Sequence, residues 1–386
     1  MIKEIIFFSL GDSNKISTWS NVPYLFSKEL EKKGIIVHRI NIEPNQAIRY
    51  RYNAIIHKIY NLIWPGNIYY YERSLLFYYI TNHKIKKAVR QFPNADICIF
   101  CTFSFYNKFS NIPSLLFCDW SFNQLICERL NRKPSYIENE FIKREHDAIF
   151  HAEFVVSLFP ECAKKLKEDN PSSNIHYLGK NVVNSVYNEK MNEKEILINK
   201  NKRKTVLFIG NQNNPTYLKT AQIIAKSFLV AKKTITNLEL HIIGIESPQL
   251  GMYDSSIYCY GYLHKENDQE CEIYYNLLLH SSLIINTTPL WAGYSSIIEA
   301  MYFYTPIIVY PFKDFVKEFG ATISFGKYNS SNNVNDISID ICDILTSSHY
   351  TDMARTAHLQ TKDYSWENYV NKLFNLIDSP VSTKER

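Results

Sequence analysis

The chain reads as an α/β protein built of two Rossmann-like domains, their parallel sheets facing a cleft, and three observations carry that reading. Its opening alternates strand, helix, glycine and strand. Ile2–Leu10 is a buried-strand run, Pro23–Lys33 has helical periodicity, Gly34 stops it, and Ile35–Ile42 is the next strand. The same alternation restarts at Thr205, where the strand Thr205–Ile209, the turn Gly210–Asn214 and a helix opened by Pro215 follow one another. Between the two series, residues 185–204 turn polar and charged, a composition shift that marks a linker. At 386 residues and 46% hydrophobic content, the chain holds two domains with a core each. The expected division is an acceptor-side N-terminal domain at 1–184, a linker at 185–204, a donor-side C-terminal domain at 205–362 and a closing segment at 363–386.

The remaining elements follow in order. After the first strand comes the polar loop Gly11-Asp12-Ser13. An aromatic and basic region leads into a helix over Ser74–Gln91 and the strand Ile97–Cys101. Ser114–Cys118 is a strand ending on Asp119, and a helix-rich stretch runs through Glu138–His151. Phe154–Leu158, Glu161–Glu168 and Ile175–Leu178 read as strand, helix and strand. In the second series the helix from Pro215 reaches Ala231, Leu238–Ile243 ends at Gly244, and Ile257–Tyr260 ends at Gly261, with Glu272–His280 helical. Trp366–Ile377 is amphipathic, with Trp366, Tyr369, Val370, Leu373, Phe374 and Ile377 on one side, and is expected to pack back on the first domain. In open parallel sheets, ligands sit beyond the carboxyl ends of the strands. Gly11, Asp12 and Asp119 are therefore expected on one side of the cleft, and Gly210, Asn211, Gly244 and Gly261 on the other.

Charge and composition exclude several classes. A net charge of +5 over this length does not call for nucleic acid. Its distribution is uneven: residues 47–90 carry Arg49, Arg51, Lys58, Arg73, Lys84, Lys86, Lys87 and Arg90 against Glu72 alone, interleaved with Tyr50, Tyr52, Tyr60, Trp64 and Tyr69–Tyr71. That mixture suits an anionic membrane surface or anionic ligand, and equally a solvated helix face over an aromatic core. The eight cysteines are scattered through apolar runs, and Cys98-Ile-Phe-Cys101 lies inside a strand rather than at a helix start, so core cysteines in a reduced, cytoplasmic compartment are expected. No run is long and apolar enough to span a bilayer. There is no HExxH, no Asp-x-Asp and no G-x-x-x-x-G-K-[ST], so neither a metal site nor a nucleoside triphosphatase is expected.

The stretch with most chemistry is SLIINTTPLWAGYSSIIEAMYFYTPIIVYP, residues 282–311. Leu283–Asn286 reads as a strand, Ser295 and Ser296 as N-caps of a helix over Ile297–Tyr304, and Thr305-Pro306 as its stop before the strand Ile307–Tyr310. A small-residue loop feeding a helix N-terminus, with Glu299 in the first turns, suits a phosphate and a sugar hydroxyl. An ordinary crossover with a capping glutamate has the same pattern.

The order of these pieces resembles the GT-B glycosyltransferases, and the second domain resembles the large retaining nucleotide-sugar family often numbered four. The resemblance is carried by LFIG (Leu207–Gly210), LHIIG (Leu240–Gly244), YGYLHK (Tyr260–Lys265), a Tyr-rich helix, GYSSIIEAM (Gly293–Met301), TPIIVY (Thr305–Tyr310) and the aromatic-Ser-Trp-Glu at Tyr364–Glu367. The first domain matches less, mainly through CDWS (Cys118–Ser121) and HAEFVVSLFPECAKKL (His151–Leu166).

The resemblance implies that Glu299 holds the ribose hydroxyls and that the backbone amides of Gly293, Tyr294, Ser295 and Ser296 hold the diphosphate of a nucleotide-sugar donor. It implies transfer with retention, independent of a metal or cofactor. Asp119, at the end of a strand facing the cleft, is a candidate to orient the acceptor, with a structural cap role as its alternative. Two positions depart from the pattern. Where the family places a further Glu against the donor sugar, this chain has Trp291, which offers a stacking face. Where the family carries a basic pair, the loop is Asn211–Tyr217 with Lys219 the nearby cation. The expected acceptor is a saccharide, lipid-linked if residues 47–90 bind the inner face of the plasma membrane. A catalytically lapsed protein acting in binding or assembly on the same fold is the alternative.

Overall fold

The computed structural model describes residues 2–63, 70–179, 192–202, 204–289 and 294–379. It divides into two compact units, one of Met1–Gly179 with Tyr369–Arg386 and the other of Lys180–Asn368.

The first unit holds one parallel sheet in the order β2-β1-β3-β4-β5-β6. Its strands are β1 (Glu4–Ser9), β2 (Ile36–Asn41), β3 (Ile97–Phe100), β4 (Ser114–Cys118), β5 (Phe154–Ser157) and β6 (Ile175–Tyr177). The helices are α1 (Val22–Lys32), α2 (Gln46–Ile63), α3 (Leu75–Gln91), the single turn α4 (Phe122–Gln124), α5 (Tyr136–His151) and α6 (Pro160–Asp169). Ile5–Phe8 and Ile97–Phe100 pair in register and are buried on both faces, which is why these strands read as continuous apolar runs. The edge strand β2 is half-buried along its middle and exposed at its ends, and its His38 and Arg39 are tied to Glu4 and Glu31.

The second unit holds β7 (Lys204–Ile209), β8 (Leu238–Ile243), β9 (Ile257–Cys259), β10 (Leu283–Asn286), β11 (Ile307–Val309) and β12 (Gly326–Tyr328), in the order β12-β11-β10-β7-β8-β9. Its helices are α7 (Glu193–Lys202), α8 (Pro215–Ala231), α9 (Ser247–Leu250), α10 (Asp268–His280), α11 (Tyr294–Tyr302), α12 (Lys313–Phe319), α13 (Val334–Leu345) and α14 (Tyr350–Thr361). The strand order reverses between β7 and β10, which opens a crevice at their carboxyl ends. The last helix, α15 (Trp366–Asp378), crosses the unit boundary. Within the first unit, Tyr369 packs its ring edge on Phe117, Asn371 accepts from Lys33, and Lys372 donates to the Leu178 carbonyl.

Two expectations change. The expected linker at 185–204 contains α7, whose Ile196 and Leu197 join the core of the second unit, while residues 185–191 and 203 lie outside the described residues. The closing segment begins within the second unit, and the division falls at Asn368 rather than at 363. Among the described residues of the aromatic-basic region, α2 and α3 carry most of the basic side chains, and some of these are paired within the unit. Arg49 pairs with Glu72 at 2.7 Å, Arg73 reaches the buried Glu145, and Lys84 donates to the carbonyls of Asn41 and Glu43.

Lys200 shows why α7 belongs to the core. Its side chain is fully buried, and Nζ donates to the carbonyls of Leu278 and Ser281 and to Thr305 Oγ1. Burial pushes its pKa well below the ordinary lysine value. Lys200→Ala would strand three buried acceptors around a cavity. The expected loss is about 3 kcal/mol of unfolding free energy, read by urea denaturation. A loss below about 1 kcal/mol would contradict this placement.

Candidate nucleotide-sugar site

In the second unit the loops leaving β7, β8 and β9 are joined by backbone. Gly210 N–H donates to the Ile243 carbonyl at 3.0 Å, Gln212 N–H to Gly244 at 2.8 Å, and Gly244 N–H to Gly261 at 2.6 Å. Gly244 sits at φ +85°, and a Cβ there would lie 2.1 Å from the Gly210 carbonyl oxygen. Only glycine allows this approach. The Gln212 side chain adds a bond from Glu246 N–H at 3.0 Å.

The loop after β7 folds on itself. Asn211 Oδ1 accepts from Asn213 N–H, and Asn214 caps α8 by accepting from Thr216 N–H. These oxygens are therefore occupied by the loop's own amides. Lys219 lies exposed in the early turns of α8.

Across the switch point, Asn286 ends β10 buried, reaching the Ile209 carbonyl and accepting from Thr288 N–H. Thr287 is held by Asn332 at 2.7 Å. Helix α11 starts at Tyr294, so Ser295 and Ser296 lie inside its first turn rather than at the cap. The helix also ends at Tyr302, short of the expected Tyr304. Tyr304 takes a left-handed φ of 59° and stacks on His358 with ring centroids 4.0 Å apart. Gly293 and Trp291 lie outside the described residues.

Glu299 is 3% exposed, in the middle of α11. Its Oε2 accepts from the Tyr274 hydroxyl at 2.6 Å, and Lys265 Nζ approaches Oε1 at 3.8 Å while lying 3.8 Å from the Tyr274 ring centroid. Among the described residues, Glu299 Oε1 and Thr288 Oγ1 are buried acceptors without a hydrogen-bond partner. Both belong to the β10–α11 crossover. Such atoms are few in native structures, and Asn53 Oδ1, Tyr71 Oη and Ser173 Oγ are others elsewhere in the chain. Lys265 and Tyr274 were not assigned from the sequence, although both sit in segments that carried the family resemblance. Their contact with Glu299 spans residues far apart in the chain, which local spacing does not reveal.

In the first unit, Asp119 follows β4. Burial pushes its carboxyl above the ordinary range, against hydrogen bonds from the Cys118 thiol, the Trp120 N–H and the Trp19 indole. Trp19 also packs on Phe117, and Trp19, Ser20 and Asn21 all take positive φ, at 41°, 53° and 72°. Each such residue costs on the order of 1–3 kcal/mol, a strain typical of functional loops. Asp12 has a local task. It accepts from Asn14 N–H, which lowers its pKa, while Gly11 takes φ +97° and donates to Asn41. Cys98 and Cys101 are buried thiols, and burial pushes Cys98 up to about 12. Among the described residues no cluster of His, Cys, Asp or Glu could hold a metal. No helix among them is long and apolar enough to cross a membrane.

This architecture is that of the GT-B glycosyltransferases. The chain is similar in structure to WaaG, a glycosyltransferase involved in lipopolysaccharide biosynthesis, with a TM-score of 0.63 and 12% identity over 97% of this chain and 100% of that one. It is similar to Anabaena HepE, solved with UDP and glucose, with a TM-score of 0.61 and 12% identity over 98% and 100% of the two chains. It also resembles S. aureus TarM with a TM-score of 0.55 and 15% identity, and there it spans 59% of the longer chain. No family model and no curated protein matches the sequence. At these identities the likeness establishes the GT-B fold.

Burial raises the Glu299 carboxyl above its ordinary range, and Lys265 and the Tyr274 hydroxyl offset part of that. A carboxyl whose pKa is higher folded than unfolded contributes stability that is complete at acid pH and lost as pH rises through the folded value. Glu299→Gln removes that loss. The melting temperature of E299Q relative to wild type should therefore climb from about pH 4.3 upward, measured across a pH series. A difference that stays flat or falls would contradict the burial of a costly carboxyl here.

Proposed function

We propose that this protein is a glycosyltransferase, of hexosyltransferase type, that moves a sugar from a nucleoside-diphosphate donor held by the second unit onto a saccharide acceptor. The observation that carries the reading is the β10–α11 crossover at the switch point. There, among the described residues, two buried oxygens lack hydrogen-bond partners, one on Thr288 after β10 and one on Glu299 within α11. A carboxylate accepts from both ribose hydroxyls at once, and the first-turn amides of α11 suit a diphosphate. In this reading Glu299 takes the ribose, Ser295 and Ser296 border the diphosphate, and Lys265 holds the Glu299 charge while it does so. Gly210 keeps the backbone open, and Lys219 contributes a cation.

The reaction reads as retaining and metal-independent. The bond from the anomeric carbon to the diphosphate breaks, the acceptor oxygen bonds that carbon on the same face, and the departing phosphate oxygen takes the acceptor proton. Asp119, steadied by Trp19, orients the acceptor hydroxyl. The acceptor is a lipid-linked saccharide of a surface polysaccharide, met at the inner face of the plasma membrane.

One observation favours the lapsed alternative. Glu299 already accepts from Tyr274, and the amide oxygens of Asn211 and Asn214 are satisfied within their loop. Thermal-shift measurements with UDP, GDP, ADP and CMP separate the two. A transferase is stabilised by one of them, and at a ligand concentration of 100 Kd the expected gain is about 2.7 kcal/mol. Glu299→Ala should abolish the shift. No shift with any nucleotide would support the alternative.

Asp119 yields a second test. Because its ionised form is the costly one when folded, Asp119→Asn should leave the melting temperature at neutral pH unchanged or raised, while transfer falls about 10²-fold or more. A large loss of stability with activity intact would make Asp119 structural.

A further inference from the structure

Helix α2 carries five aliphatic side chains that the fold leaves in solvent: Ile48, Ile55, Ile59, Leu62 and Ile63, at 40%, 63%, 45%, 83% and 55% exposure. Scattered exposed hydrophobics are ordinary, but these are aligned. At about 100° per residue the first four fall within an arc of roughly 60°, with Ile63 about 40° beyond Ile59 on one side, and Arg51 and Lys58 in the next roughly 40° beyond Leu62 on the other. The helix meets the protein on the adjoining side, where Tyr60 is buried, Asn53 and Ile56 are half-buried, and half-buried Tyr52 packs on Tyr71 at the edge of the stripe.

Charge decides what the stripe fits. Residues 46–63 contain Arg49, Arg51 and Lys58 and no Asp or Glu. Arg49 is taken by Glu72, while no ion pair is formed by Arg51 or Lys58 among the described residues. Self-pairing of two copies through this face would juxtapose like charges with no carboxylate on the helix to answer them. An anionic interface answers both the apolar stripe and its cationic border.

We infer that α2 seats this protein on an anionic lipid surface, with Ile48, Ile55, Ile59 and Leu62 entering the interface and Arg51 and Lys58 meeting the headgroups. The inference deepens the lipid-linked acceptor proposed above and rests on it for its purpose. It narrows the basic-aromatic region to one helix, since Arg73 and Lys84 are engaged within the fold.

Flotation of the full chain with vesicles tests it. Vesicles of phosphatidylcholine mixed with phosphatidylglycerol should carry about tenfold more protein than phosphatidylcholine alone, with the excess lost at high salt. The double variant I55S/L62S should lose about tenfold of that binding at an unchanged melting temperature, since both side chains are exposed. R51E/K58E should abolish the preference for anionic vesicles. Absence of flotation with anionic vesicles at low salt overturns the inference, as does wild-type binding by I55S/L62S. A dimer in size-exclusion chromatography that I55S/L62S dissociates overturns it in favour of a second copy. The nucleotide thermal shift is read separately. A chain that floats without any shift keeps the lipid inference and removes the transferase reading, and a chain that shifts without floating does the reverse.

Discussion

The contact on which the second unit depends is backbone against backbone. Gly244, held at a left-handed φ, lies so close to the Gly210 carbonyl that any side chain would collide with it. That approach lets Gly210, Gln212, Gly244 and Gly261 exchange main-chain hydrogen bonds, so the loops leaving three neighbouring strands form one rigid rim. A chain this poor in glycine, with only 11, spends two of them at one point. At Gly210, Gly244 and Gly261 the rim presents backbone alone near the place where the strand order reverses.

On the other side of that reversal the chemistry is concentrated in a few buried polar atoms. Glu299 is the centre of a small shell in which Tyr274 donates and Lys265 supplies charge while packing on the Tyr274 ring. Among the described residues the shell leaves one carboxylate oxygen without a hydrogen bond, with Lys265 Nζ 3.8 Å away. Burial favours the neutral acid and the neighbouring ammonium favours the anion. The first unit shows a related economy. Its candidate, Asp119, is also raised by burial and also steadied by an aromatic side chain, Trp19, which is reached only through a strained backbone.

Much of this architecture was legible because the central strands are buried on both faces. Runs such as Leu283–Asn286 and Ser114–Cys118 leave no room for another reading, and their bounds agree with the structure. What stayed hidden had weak local patterns. β12 is Gly-Lys-Tyr at a half-buried edge, with no apolar run to announce it. Helix α7 reads as a linker because it is polar, and its most buried residue is a lysine. Helix α2 reads as composition rather than periodicity because its apolar stripe faces outward. In the site, Glu299 was singled out by its position after a loop, whereas Lys265, Tyr274, Thr288 and Trp19 matter through contacts or burial that spacing does not encode.

The central claim is that the β7–β10 switch point is a nucleotide-sugar donor site. A crystal structure of the full chain grown with UDP, and in parallel with GDP and ADP, tests it most directly. The account predicts one nucleotide with its diphosphate at the N-terminus of α11 beside the Gly210 rim and its ribose hydroxyls on Glu299 Oε1. A nucleotide bound elsewhere, or a well-ordered chain with the Glu299 shell closed and no nucleotide at saturating concentration, would contradict it.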